Sequence, residues 1–231
     1  MLKKRWGVIL LSIGLSIYSS FSEGQQRIAI VDTGLNPILY NKLPICNTGG
    51  FDYFTNTKKI YGDNIGHGSL MATIISKKVK VKYCLMIYRV ITPDFQMSED
   101  AIVKAILDAA NNNADVINLS FSGEMFYKPE YRAMMYASVK GIRINVAAGN
   151  SSKYNKAKNL DKFCTAYPAC YKGLKNKRII GALDSHGKVA PYSNYGKVVD
   201  EWYNGSWDND KGSSVSSAVA TAVYINKKGE K

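Results

Sequence analysis

Histidine is scarce: there are 2 in 231 residues, His67 and His186, so any chemistry that needs an imidazole must draw on one of these side chains. The 4 cysteines, Cys46, Cys84, Cys164 and Cys170, form no Cys-x-x-Cys pair, and with so little histidine the chain lacks ligands at structural-zinc spacing. Acidic residues are also short, 18 against 31 Lys and Arg, which leaves a formal charge of +13. That excess makes acidic surfaces, anionic lipid heads or nucleic acid favourable non-specific neighbours, and it carries little information about fold. The apolar run over residues 6–18 falls short of the ~20 residues of a membrane-spanning helix. Internal repeats and low-complexity tracts are absent. A hydrophobic content of 46% with 6 Pro and 19 Gly describes a chain able to bury one substantial core.

The short apolar run has a different meaning. Lys3, Lys4 and Arg5 precede it, and Ser20-Phe21-Ser22 follows with small residues at the positions a signal peptidase reads. Residues 1–22 are therefore expected to be a signal peptide and residues 23–231 the folded domain, with an uncleaved anchor as the alternative. Cleavage after Ser22 removes three positive charges and leaves about +10. Export makes disulfides permissible.

Beyond that point β-branched apolar runs alternate with helical patterns. Strands are expected at residues 27–31, 83–90, 115–120, 142–147 and 178–183. Helices are expected at 68–78, at 99–110 with Ser98 as N-cap, at 130–140 between Pro129 and Gly141, and at 214–224. Continuous apolar strands between helices imply an α/β fold: a single three-layer domain with a mainly parallel sheet covered on both faces. Its binding crevice then lies beyond the carboxyl ends of the strands. Residues 150–162 and 200–212 are expected to be mobile loops.

Three polar clusters fall where that crevice forms. Asp32 ends the first strand in Val31-Asp32-Thr33-Gly34; His67 opens a helix in Gly66-His67-Gly68-Ser69; Ser214 follows Gly212-Ser213 at the start of the last helix. Singly, each has an ordinary explanation as a cap or as polar surface. Together they supply an acid, a base and a hydroxyl. A serine needs an adjacent base to act as a nucleophile, and the imidazole needs a carboxylate to fix its tautomer and stabilise its charged form.

These residues carry a resemblance to the catalytic domain of the subtilisin-like serine proteases, the subtilase family, over residues 27–224. The matching stretches are Ile30 to Gly34, Gly66 to Ser69, Val116 to Gly123, Ala147-Ala148-Gly149-Asn150 and Gly212 to Ser214, in family order. The segments Tyr167-Pro168-Ala169, Ile179 to Asp184 and Tyr192 to Gly196 resemble the family as well. The resemblance implies a serine endopeptidase with Ser214 as nucleophile, His67 as general base and Asp32 orienting it. Asn150 would donate to the oxyanion, and Ser120, Phe121, Ser122, Gly123, Ala148 and Gly149 would bind an extended polypeptide. It also implies disulfides 46–84 and 164–170, no cofactor for the chemistry, a structural calcium whose ligands cannot be assigned, a monomer, and a secreted or periplasmic location.

The sequence departs from the family at Ser213, Ser216 and Ala218 around the nucleophile, which leaves Ser213 as an alternative nucleophile. Ser122 stands where the family usually has Gly, so restricted specificity is expected. The few residues between Ser22 and the first strand leave no room for a propeptide of the family's kind, and the helices after Ser214 are expected to be curtailed. A catalytically silent polypeptide-binding subtilase fold is the competing reading. A third reading takes the positive charge and 16 Tyr as a surface on which nucleic-acid bases stack, but no nucleic-acid motif accompanies them.

Overall fold

The computed structural model describes residues 24–58, 62–92, 94, 96–150 and 156–230. The expected signal peptide lies outside the described residues. Among those described, no helix is long and apolar enough to cross a membrane.

The chain runs β1 (Gln26–Asp32), α1 (Pro37–Tyr40), β2 (Phe51–Asp52), α2 (His67–Lys78), β3 (Tyr83–Arg89), α3 (Glu99–Asn111) and β4 (Val116–Leu119). It continues through α4 (Lys128–Val139), β5 (Arg143–Ala147), β6 (Lys177–Leu183), β7 (Glu201–Asn204), the short strands β8 (Ser206–Trp207) and β9 (Asp210–Lys211), and α5 (Ser213–Gly229). Strands β1 to β7 form one parallel sheet in the order β2-β3-β1-β4-β5-β6-β7.

Strand alternation explains the layers. Along β1, Ala29 and Val31 pack with Ile102, Ile106 and Met134 of α3 and α4. Ile28 and Ile30 face the other way, against Met71 and Ile75 of α2 and Val215, Ala218 and Ile225 of α5. All four β1 side chains are 0% exposed, so each face removes apolar area from water at about 25 cal/mol per Å². Helix α3 starts where Ser98 accepts a hydrogen bond from the Ala101 N–H at 3.3 Å, with Glu99 and Asp100 in its first turn.

Strand order fixes where function can sit. From β1 the chain builds outward to β3 and β2 on one side and to β4 through β7 on the other. The carboxyl ends of β1 and β4 therefore flank the point where the strand order reverses, which opens a crevice between the following loops.

Two expectations are corrected. Residues 200–212 are not a loop: β7 pairs with β6, and β8–β9 form a hairpin whose turn sets Asp208 at φ 49°, a left-handed conformation that Asp tolerates. A four-residue, half-buried edge strand has too little apolar pattern to stand out in sequence. Helix α5 also extends beyond residue 224 to Gly229. Its last turn carries Lys227 and Lys228, which suit the negative end of the helix dipole, and Asn226 bonds to the backbone of Lys78 and Lys80. The disulfides Cys46–Cys84 and Cys164–Cys170 are both formed.

Candidate active site

Asp32 closes β1 with its side chain 0% exposed. Its Oδ1 accepts hydrogen bonds from the Thr33 N–H at 2.8 Å and from His67 Nδ1 at 2.7 Å. A buried carboxylate with a charge-assisted partner holds the imidazole in the tautomer that leaves Nε2 available. The Asp32 charge raises the His67 pKa above its ordinary value of 6.5; burial opposes this, while the Asp32 hydrogen bond and the charges of Asp63 and Asp210 add to it. His186, the other histidine, lies in an exposed turn built on Asp184 and takes no part.

His67 can reach Asp32 because α2 begins almost in contact with the turn after β1. A Cβ on Gly68 would lie 2.3 Å from the Gly34 carbonyl oxygen, so a glycine is needed for the approach. Asp63, which sequence reasoning missed, locks the same junction. Its Oδ1 accepts from Thr33 Oγ1 at 2.8 Å and from the Gly66 N–H at 2.7 Å, and its Oδ2 accepts from the Ser69 N–H at 2.7 Å. Thr33 Oγ1 in turn accepts from the Gly68 N–H at 2.7 Å. The signal for Asp63 is an acid just before a helix with no side-chain cap at Gly66.

Ser213 and Ser214 open α5 in different environments. Ser213 is 0% exposed and its hydroxyl accepts from the Gly149 N–H at 3.1 Å, whereas Ser214 is half-buried at the crevice. The Ser214 hydroxyl donates to the Ser120 carbonyl at 2.9 Å. Among the described residues no hydrogen bond joins it to His67. Asn150 follows β5 and is exposed; its Oδ1 accepts from the Ser213 N–H at 2.8 Å, which leaves its Nδ2 hydrogens for another acceptor.

Of the expected substrate-binding residues, Gly149 is the one whose conformation is most constrained. Its φ of 87° and the Asn194 Nδ2 atom, 2.7 Å from where a Cβ would lie, both require glycine. Asn194 also donates to the Ala148 carbonyl at 2.9 Å and fixes this turn. Ser122 Oγ lies 3.4 Å from the same hypothetical Cβ, so the Ser122 side chain lies against Gly149. Phe121 packs on the core. The Gly123 N–H and C=O are both taken by Tyr167, at 2.8 and 2.9 Å.

Among the described residues no group of three or more His, Cys, Asp or Glu is placed to hold an ion. Asp63 already accepts three hydrogen bonds, and Asp52 accepts from the Phe54 and Thr55 N–H groups and from Arg89. Calcium, which takes six to eight oxygens, does not fit such carboxylates.

Comparison with known proteins gives the same picture. Thermitase of Thermoactinomyces vulgaris is 29% identical over 215 residues, covering 88% of this chain and 68% of thermitase. Subtilisin-like protease 2 of Arthroderma benhamiae is 32% identical over 189 residues; the match covers 76% of this chain but only 41% of that protein. A crystal structure of a lanthipeptide protease superposes with a TM-score of 0.73 at 20% identity, over 87% of this chain and 73% of that one. The sequence pattern of the subtilase family matches residues 24–227, and the chain belongs to that family.

Proposed function

We propose that the chain is a serine endopeptidase that cleaves polypeptides through an acyl-enzyme. The observation that carries this reading is the hydrogen bond, 2.7 Å long, from half-buried His67 to buried Asp32 at the carboxyl end of the sheet, where a crevice is expected to form. His67 Nε2 takes the proton of Ser214 Oγ as the oxygen attacks the scissile carbonyl carbon. Negative charge then develops on the carbonyl oxygen, where the Asn150 Nδ2–H and the Ser214 N–H donate to it. His67 passes its proton to the departing amine, the C–N bond breaks, and an ester on Ser214 remains. Water then attacks the ester carbon as His67 takes its proton, and His67 passes that proton to Ser214 Oγ as the C–O bond to Ser214 breaks and the acid product leaves. Asp32 stays ionised throughout and stabilises the imidazolium.

In the resting enzyme the Ser214 hydroxyl sits on the Ser120 carbonyl. Substrate binding brings it to His67, in keeping with catalytic hydrogen bonds that tighten only in the Michaelis complex. The side chain of Ser122, which stands where the family usually has Gly, lies against Gly149, which favours a small residue just before the cut. Residues 23–231 make up the peptidase domain, exported by residues 1–22 and acting as a monomer; two disulfides suit an oxidising compartment.

The test is labelling with a fluorophosphonate probe, with peptide mapping and Ser214→Ala and His67→Ala controls. Modification of Ser214 that depends on His67 is the expected result. A folded protein that is not labelled would overturn the reading in favour of a silent polypeptide-binding fold.

A further inference from the structure

Two asparagines interrupt the apolar strands in the middle of the sheet. Asn118 of β4 and Asn145 of β5 are register partners, and both are 0% exposed. Buried amides must be satisfied, and α5 supplies a partner to each of them. Ser217 and Thr221, one helical turn apart and each 0% exposed, lie over the pair.

The direction of the hydrogen bonds follows from chemistry. Arg143 Nε donates to Asn145 Oδ1 at 2.7 Å while its Nη2 is paired with Glu201 at 2.7 Å. A guanidinium has only donors, so Asn145 must turn its oxygen to Arg143 and its Nδ2 to Thr221 Oγ1, at 3.0 Å. Thr221 is thereby an acceptor, and its own hydrogen points to Asn118 Oδ1 at 3.1 Å or to the Ser217 carbonyl at 2.9 Å. Ser217 Oγ donates to Asn118 Oδ1 at 2.8 Å. With its oxygen occupied by hydroxyl donors, Asn118 presents Nδ2 to Ser120 Oγ, at 2.8 Å. The Ser120 hydrogen is then directed to the Ser214 carbonyl at 3.4 Å, and the Ser120 carbonyl accepts from Ser214 Oγ at 2.9 Å.

We propose that Asn118 is a positioning residue for the nucleophile Ser214, acting through Ser120, with its orientation set by Ser217 and Thr221 and ultimately by Arg143. A reversed Asn118 amide would offer Ser120 an acceptor and draw the Ser120 hydrogen away from Ser214. The first turn of α5 would then lose its tie to the end of β4. This inference rests on the peptidase reading, since it concerns how fast Ser214 acylates.

The experiment compares fluorophosphonate acylation rates and peptide-substrate kcat and KM for the full chain and for Asn118→Asp, Thr221→Val and Thr221→Ser. Folded fraction is measured alongside by thermal unfolding. Asn118→Asp keeps the shape but removes both donor hydrogens, and Thr221→Val removes the hydroxyl. Each is expected to slow acylation and lower kcat by about 10- to 100-fold with KM within about twofold, as misplacement of a reacting group does. Thr221→Ser restores the hydroxyl and the rate. Should Asn118→Asp fail to fold, the Val and Ser variants at 221 carry the comparison. Wild-type rates per folded molecule in Thr221→Val, or a loss that Thr221→Ser does not rescue, overturn the proposal. An unlabelled wild type would instead remove the peptidase reading and this inference with it.

Discussion

Replacing Glu130 by Gln is expected to stabilise the fold at neutral pH and to leave it unchanged in acid. Glu130 lies in the first turn of α4 and is 7% exposed. Its Oε2 accepts from the Tyr171 hydroxyl at 2.8 Å, while its Oε1 has no partner. Burial pushes the carboxyl up from 4.5 to about 7; the Tyr171 bond opposes the rise and the Glu99 charge adds to it. An unfolded glutamate loses its proton near 4.5, whereas the native one holds it to about 7, so the folded state binds more protons in that window. The favourable contribution is complete below 4.5 and lost as pH rises to about 7. At about 1.4 kcal/mol per pH unit, this gap amounts to about 3 kcal/mol at most. For a domain of this size that is roughly 6–12 °C in melting temperature. Thermal melts from pH 4 to 8, in a Ser214→Ala background to prevent self-digestion, measure it directly. The Glu130→Gln curve should coincide with its parent below about pH 4.5, rise above it between there and about pH 7, and keep the full gap at higher pH. A melting difference that is constant with pH, or no difference at all, would refute the assignment of a proton to native Glu130.

Catalysis offers three further tests. Because Asp32 raises the His67 pKa, the acid limb of the kcat/KM profile should fall above pH 6.5, and Asp32→Asn should move that limb downward while lowering kcat roughly 10⁴-fold. An unmoved limb in the variant would mean that another group sets it. Asn150→Ala should cost about 100- to 1000-fold in kcat with little change in KM, measured on a short peptide ester; a change confined to KM would place Asn150 outside the oxyanion site. Ser122→Gly should remove the side chain that lies against Gly149 and raise kcat/KM roughly tenfold for substrates with a large apolar residue before the cut, relative to alanine. Equal gains for both substrates would show that Ser122 does not restrict that residue.

The candidate site was largely legible because its residues sit at element boundaries, where composition and turn chemistry are local. Asp32 at the end of a β-branched run, His67 after a glycine and Ser214 after Gly212-Ser213 can each be read from a few neighbours. Asp63 was missed because it acts on Thr33, Gly66 and Ser69 from within an irregular segment, and periodicity says nothing about such segments. The expected loop at 200–212 failed for the opposite reason: β7 owes its strand geometry to the open edge of β6 and not to its own residues.

Sequence by itself determined the layer order and the polarity of the crevice, since apolar runs separated by helices leave a parallel sheet as the arrangement that buries both strand faces. It also determined which residue types could act as acid, base and nucleophile. Only the tertiary structure gave Ser213 and Ser214 different surroundings, burying the first hydroxyl on Gly149 and leaving the second half-buried, which supports the proposal of Ser214 as nucleophile. It alone decided what Asn118 and Asn145 do, because their partners Ser217 and Thr221 lie far along the chain and meet them only when α5 packs on the sheet. Hydrogen-bond direction depends on which groups converge in space, and one strand's sequence does not contain that information.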